Sequence, residues 1–164
     1  MNTHPFDALE ISDNASIIFT PCPGTKEANL EDSVTQLKQA GATMILTMMY
    51  DEEMQRNNIQ LLPELCKQHG IRWYQLPIED DEAPKQDFEQ RWVQVKDTLV
   101  NELKNGGSIV AHCKGGTGRT GLVLGLILKA YGFSEEDAKA KIQSVRPKSL
   151  VNPLQLNYFI DCKL

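Results

Sequence analysis

The stretch SIVAHCKGGTGRTG, residues 108–121, decides the architecture predicted for this chain. Its apolar residues 109–111 are typical of a buried strand. A glycine-rich loop follows, and then an apolar helix that we predict from about Thr120 to Tyr131. In such a unit the backbone N–H groups of the loop converge on one point, where the positive end of the helix dipole also lies. The stretch therefore predicts an anion-binding loop at the end of a strand.

Cys113 and Arg119 stand at the two ends of this loop in C-x5-R spacing. The positive field of the loop favours the thiolate of Cys113, which is the nucleophilic form. The guanidinium of Arg119 offers a fork of donors that suits two phosphate oxygens. We expect the substrate phosphate to be bound by the loop residues Lys114, Gly115, Gly116, Thr117, Gly118 and Arg119.

Three other side chains in the stretch have candidate roles. We expect His112 to orient the loop by hydrogen bonding and to support the thiolate, without transferring a proton itself. Thr120 is a candidate hydrogen-bond donor to the cysteine sulfur, a helix cap, or both. Lys114 adds a positive charge that suits multiply charged substrates such as phosphoinositides, although a solvent-exposed lysine is the ordinary case.

The composition limits the possible partners and compartments. The 164 residues suffice for one domain, and 22 acidic against 17 basic residues give a net charge of -5, which argues against a nucleic-acid partner. The four cysteines and three histidines lack zinc-site spacing. We therefore expect no metal, no cofactor, and free thiols in a reducing compartment. No apolar run is long enough to span a membrane, so we expect a cytoplasmic protein. We also expect it to be a monomer.

Strand-like and helix-like segments alternate along the whole chain. The predicted strands are 8–11, 16–19, 44–49, 71–76 and 109–111, with a turn at Asp13-Asn14 between the first two. The first predicted helix runs from a cap at Thr25 or Asn29 to Gln39, and a short helical or irregular piece opens at Asp51. The later predicted helices are 59–69, 86–104, 120–131, 134 to about 145, and a last one that starts at Pro153. This order predicts a single α/β domain, 1–164, whose mostly parallel sheet carries helices on both faces. The cysteine loop then lies at the carboxyl end of a central strand, where ligands bind in such sheets.

Covalent phosphate transfer through Cys113 needs an acid to protonate the leaving group. The segment PIEDDEAP, residues 77–84, follows a predicted strand and contains four acidic residues. Residue types alone do not rank these four, and acidic clusters are usually solvated loops.

Other readings of the cysteine loop compete with phosphate chemistry. Residues 116–121 form a literal G-x-G-x-x-G, but a dinucleotide site also needs a second strand ending in an acid about 20 residues later. Here Ser134 opens a predicted helix instead, which disfavours that reading. A sulfurtransferase, a non-catalytic phosphoprotein-binding module and a merely buried thiol stay open as alternatives.

Three segments carry a family resemblance. Residues 112–120, HCKGGTGRT, resemble the H-C-x5-R-[ST] signature of cysteine-dependent protein tyrosine and dual-specificity phosphatases. Residues 77–84 resemble the P-I-x-D-x-x-x-P acid loop of the kinase-associated phosphatase family, which implies Asp80 as the acid, with Asp81 one residue away as the alternative. Residues 146–155, RPKSLVNPLQ, resemble the R-P-G-S-[IV]-E-T-P-x-Q stretch of related small phosphatases, which implies that Gln155 positions water.

The resemblance implies a phosphatase that acts on phosphotyrosine in proteins, with phosphoserine and phosphothreonine left open, through a cysteinyl-phosphate intermediate. The implied catalytic residues are Cys113, Arg119, Asp80, Thr120 and His112. Hydrolysis of phosphoinositides or other small phosphomonoesters is the alternative. Thr117 stands where the lipid-phosphatase loop has a second lysine, and this weakens the lipid alternative.

Overall fold

A computed structural model gives the fold and describes residues 2–12 and 14–162. Within those residues five strands form one sheet in the order β1-β2-β5-β3-β4, with β1 antiparallel to β2 and the other pairs parallel. The elements in chain order are β1 (Asp7–Glu10), β2 (Ser16–Thr20), α1 (Leu30–Gln39), β3 (Met44–Thr47), α2 (Asp51–Arg56), α3 (Leu62–Gln68), β4 (Arg72–Gln75), α4 (Gln86–Lys104), β5 (Ser108–His112), α5 (Gly118–Tyr131), α6 (Glu135–Val145) and α7 (Pro153–Asp161). The predicted α/β fold with a mostly parallel sheet is confirmed.

Helices cover both faces of the sheet, as predicted. On one face the core joins β-strand residues such as Phe19 and Leu46 to α4, α5, α6 and α7. On the other face Ile45 and Val110 pack against α1, α2 and α3. Strand β5 is buried along its whole length between these two cores, which agrees with its apolar sequence.

The register of the sheet brings three chain segments to one edge. Thr20 of β2 and Thr47 of β3 both pair with His112 at the end of β5. Because the three strands are parallel, the segments that follow them leave the sheet side by side. The cysteine loop therefore lies between the segment after β2 and the segment after β3.

Several predicted boundaries are wrong by a few residues. Strand β3 stops at Thr47 instead of Met49, because the Met48 N–H donates to the carbonyl of His112, where the partner strand ends. Helix α3 begins at Leu62, not Ile59, because residues 59–61 form a turn closed by a hydrogen bond from the Leu62 N–H to the Ile59 carbonyl.

Helix α5 begins at Gly118, two residues before the predicted start. A hydrogen bond from the Gly121 N–H to the Thr117 carbonyl (2.9 Å) closes its first turn, so Arg119 lies inside the helix and not ahead of it.

The side chains of Asn29 and Ser134 cap α1 and α6. The predicted Asp13-Asn14 turn includes Asp13, which lies outside the described residues. Of the helices in the described part of the chain, none has the length and apolarity to cross a membrane.

Candidate active site

Cys113 lies directly after β5, and its sulfur is held by two donors. The Gly116 N–H donates to Sγ at 3.3 Å and the Thr120 hydroxyl donates to it at 3.2 Å. The side chain is 3% exposed. Both neighbours donate, so the sulfur is the acceptor in each of these contacts.

The backbone of the loop is oriented by hydrogen bonds to its carbonyl groups. These carbonyls accept from donors that lie outside the loop's centre. The pairs are Cys113 O with His112 Nδ1 (3.2 Å), Lys114 O with Cys22 N–H (3.0 Å), Gly116 O with Arg146 Nε (3.1 Å) and Thr117 O with Ser149 Oγ (2.6 Å). In a trans peptide the carbonyl and the next N–H point in opposite directions. Each anchored carbonyl therefore directs one N–H toward the loop's centre, which produces the anion cradle that the sequence predicts.

Gly116 occupies a position that only glycine fits. Its φ is +81°, and an added Cβ would lie 2.7 Å from backbone atoms of Thr20 and Pro21. The close approach lets the Gly116 N–H reach Sγ while its carbonyl reaches Arg146. Gly115 differs, since a Cβ there would meet nothing within 4 Å.

His112 is buried behind the loop in a chain of hydrogen bonds. The Trp73 indole N–H donates to the Thr47 hydroxyl oxygen (2.8 Å), which lies 2.7 Å from His112 Nε2. Because the Cys113 carbonyl can only accept, His112 Nδ1 carries the proton and Nε2 accepts from Thr47. Burial lowers the pKa of His112 to about 4. The ring is therefore neutral near pH 7; it orients the Cys113 carbonyl but adds no charge to support the thiolate.

Arg119 is fully buried at the base of the cradle. Nη1 donates to Glu53 Oε1 (2.7 Å) and to the carbonyls of Ile78 (3.1 Å) and Met48 (3.3 Å), while Nη2 donates to Glu53 Oε2 (2.9 Å). Burial is the largest single influence and lowers the pKa of Arg119, but the hydrogen bond to Glu53 and the nearby negative charges of Cys113, Glu53 and Asp80 together raise that pKa overall. Its Nε is buried and has no hydrogen-bond partner among the described residues. A phosphate oxygen is a ligand that this N–H would suit.

Glu53 is a site residue that the sequence reasoning missed. It lies in α2, after β3, and β3 is the strand next to β5 in the sheet. Its side chain is 15% exposed and forms a bidentate ion pair with Arg119. The acidic run 51–53, a few residues after a buried strand, is the signal that the sequence offers, but its proximity to Arg119 depends on strand order.

The acid loop, residues 77–84, lies against the cysteine loop. Asp80 Oδ1 is 3.5 Å from Arg119 Nη2, and its side chain is 70% exposed. Of the loop's four acids, Asp80 is the one that forms an ion pair with Arg119 in the described part of the chain. The structure thus brings Asp80 to the cradle, as the resemblance implies.

The remaining predicted residues divide by position. Gln155 is 2% exposed, and its Nε2 donates to the Glu82 carbonyl at 3.3 Å, so it lies between the acid loop and Gly118. Lys114, in contrast, is exposed to solvent, which is the ordinary situation for a lysine. Arg146 and Ser149 anchor the loop through its carbonyls, a role that the sequence does not predict. Their segment, residues 146–149, carries only a family resemblance.

Comparison with known proteins finds a matching family and similar relatives. The family described as "Swiss Army Knife protein, DSP-PTPase phosphatase domain" matches residues 22–154. The chain is similar to tyrosine-protein phosphatase CDC14 of Saccharomyces cerevisiae, with 33% identity over 109 residues that cover 60% of this chain. It is also similar to cyclin-dependent kinase inhibitor 3 of Rattus norvegicus, with 27% identity over 143 residues and 83% coverage of this chain. The matched regions make up 19% and 66% of these two relatives.

Two solved structures resemble the fold. One is kinase associated phosphatase with serine in place of its catalytic-site cysteine, with a TM-score of 0.76, 25% identity, and coverage of 88% of this chain and 83% of that one. The other is Tk-PTP in its active form, with a TM-score of 0.70, 18% identity and 94% coverage of both chains. The second likeness concerns the fold alone.

Proposed function

The chain belongs to the DSP-PTPase phosphatase domain family, and on that premise we propose that it hydrolyses phosphotyrosine in proteins through a cysteinyl-phosphate intermediate. Phosphoserine and phosphothreonine are the second substrate class. The observation that carries the proposal is the sulfur of Cys113, which accepts two hydrogen bonds beneath a loop whose carbonyls are anchored outward. Such a sulfur is a nucleophile placed within a phosphate receptor.

In the first step the Cys113 thiolate attacks phosphorus, and an S–P bond forms as the bond to the leaving oxygen breaks. Arg119 and the inward N–H groups hold the phosphoryl oxygens and stabilise the developing charge. Asp80 gives its proton to the leaving oxygen. The ion-pair distance of 3.5 Å between Asp80 and Arg119 supports this assignment, because the acid then lies beside the phosphate.

In the second step water attacks the cysteinyl phosphate, and the S–P bond breaks. Asp80, now a carboxylate, takes a proton from this water, and Gln155 positions the water. The sulfur leaves as a thiolate, which the Thr120 hydroxyl stabilises as a donor at 3.2 Å. His112 acts by orienting the Cys113 carbonyl.

We further propose that the reaction needs no metal or cofactor, since Arg119, the loop and Asp80 between them supply charge stabilisation and proton transfer. A phosphorylated protein is the expected substrate partner. A cytoplasmic location and a monomeric state stay predictions of the sequence.

The test is an aryl phosphate assay of the purified chain in excess chelator. We expect the wild type to be active and Cys113→Ser to be inactive. Cys162→Ser is the matched control, since Cys162 is a partly exposed free thiol at the end of α7. Activity that survives in Cys113→Ser, or that chelator removes from the wild type, would overturn the proposal.

A further inference from the structure

Asn152, at the start of α7, makes a contact that the reaction steps above do not use. Its Oδ1 accepts from the N–H groups of Leu154 (2.9 Å) and Gln155 (3.4 Å), so it caps the helix. Its Nδ2 donates to the main-chain carbonyl of Asp81 at 3.0 Å. Because backbone N–H groups can only donate, the cap fixes which end of the amide is oxygen. The nitrogen must then face the acid loop.

This contact completes a pair of backbone attachments on either side of Asp80. Ahead of it, the Ile78 carbonyl accepts from Arg119 Nη1 at 3.1 Å. Behind it, the Asp81 carbonyl accepts from Asn152. Asp81 has a φ of +62°, a left-handed conformation that turns the chain at that point. The Gln155 side chain also donates to the Glu82 carbonyl at 3.3 Å. The Asp80 side chain is largely exposed, so its carboxyl group is placed by these attachments of the loop backbone and by the ion pair with Arg119, and not by packing.

We propose that Asn152 is a positioning residue that holds the acid loop, and with it Asp80, over Cys113. The same amide caps the helix that carries Gln155, so one side chain sets the relative placement of the proton donor and the group that positions water. The inference rests on the proposed function, because it requires Asp80 to be the general acid.

The carboxamide allows a substitution that separates the two contacts. Asn152→Asp keeps an oxygen acceptor for the helix cap and replaces the donor to Asp81 by an oxygen. Asn152→Thr also keeps a cap, without adding charge. Asn29→Asp is the matched control, because Asn29 caps α1 through its Oδ1 and makes no hydrogen bond to residues 77–84.

The readout is kcat/KM on two substrates of similar shape, p-nitrophenyl phosphate and phenyl phosphate. Nitrophenolate leaves without much help, whereas phenolate needs a proton donor. We expect both Asn152 variants to lose roughly tenfold on phenyl phosphate, as a small misplacement of a catalytic group can, and to lose clearly less on p-nitrophenyl phosphate. Their Tm should match that of the wild type, and Asn29→Asp should leave both rates unchanged.

Asp80→Asn provides the reference for loss of the acid. Its kcat/KM on phenyl phosphate should fall further than that of the Asn152 variants, and its kcat/KM on p-nitrophenyl phosphate should again fall less. Suppose that Asp80→Asn loses more on phenyl phosphate than on p-nitrophenyl phosphate, while the two Asn152 variants lose nothing or lose equally on both substrates. Asn152 then has no positioning role, and the proposed function stands. If Asp80→Asn itself loses nothing on phenyl phosphate, the assignment of Asp80 fails and the role of Asn152 fails with it.

Discussion

Glu53→Gln is the substitution whose effect follows most directly from the contacts at the site. Arg119 is 1% exposed and Glu53 15% exposed, and two charge-assisted hydrogen bonds of 2.7 and 2.9 Å join them. The substitution removes the charge that compensates a buried guanidinium. Arg119 then keeps the carbonyls of Met48 and Ile78 and the exposed carboxylate of Asp80, 3.5 Å away, as its partners.

Removing one partner of a buried ion pair costs about 3–5 kcal/mol of folding free energy. Glutamine keeps one acceptor oxygen, and Asp80 offsets part of the charge, so we expect a loss of about 2–3 kcal/mol. For a chain of this size each kcal/mol lowers Tm by about 2–4 °C. The variant should therefore melt roughly 4–12 °C below the wild type. Activity should also fall, since Glu53 fixes the orientation of the guanidinium.

Glu52→Gln is the matched control for this measurement. Glu52 is the preceding residue of α2, is exposed, and forms no ion pair in the described part of the chain. Both changes remove one negative charge from the first turn of the same helix, so the loss of the favourable helix-dipole interaction is shared. Thermal unfolding followed by circular dichroism gives both Tm values. Equal Tm values for the two variants would refute the view that Glu53 neutralises Arg119.

Three further predictions concern the acid, the buried histidines and the loop glycines. Asp80→Asn should lower kcat for a substrate with a poor leaving group by roughly 10²–10⁴-fold, and Asp81→Asn should be near normal; the reverse result would reassign the acid. Burial lowers the pKa of His4 and of His112 from the ordinary 6.5 to about 4. Between these two pH values the unfolded chain binds protons that the folded chain does not, so the free energy of unfolding falls as the pH falls. The loss at about pH 5 is about 2 kcal/mol for each histidine, and a urea midpoint that does not change from about pH 8 to about pH 5 would contradict it. Gly116→Ala should lower Tm far more than Gly115→Ala, because its Cβ would meet backbone at 2.7 Å; similar Tm values would show that the loop can move away.

The sequence predicts the parts of the site that are local in the chain. The spacing of Cys113 and Arg119 in one strand, loop and helix unit keeps them close, because only five residues lie between them. The alternation of strands and helices likewise predicts the α/β fold. The helix start at Gly118 was missed because glycine is a poor helix former, and packing of the buried α5 overrides that preference.

The sequence does not predict the residues that reach the loop from distant segments. Glu53 and Arg146 are 66 and 30 residues away from their partners Arg119 and Gly116. Glu53 contacts Arg119 because β3 lies beside β5 in the sheet, and hydrophobic alternation does not reveal which strands are neighbours. Arg146 and Asn152 act on backbone carbonyls, and a carbonyl leaves no mark on residue type.

Trapping the covalent intermediate tests the central claim, that Cys113 is the nucleophile of a phosphatase. The wild-type chain is mixed with a phosphorylated substrate, quenched in acid during turnover, digested, and examined by peptide mass spectrometry. The account predicts one phosphoryl group on the peptide that contains Cys113, located on the sulfur, and none in Cys113→Ser. Turnover with no phosphoryl group on Cys113, or with the group on another residue, would contradict it.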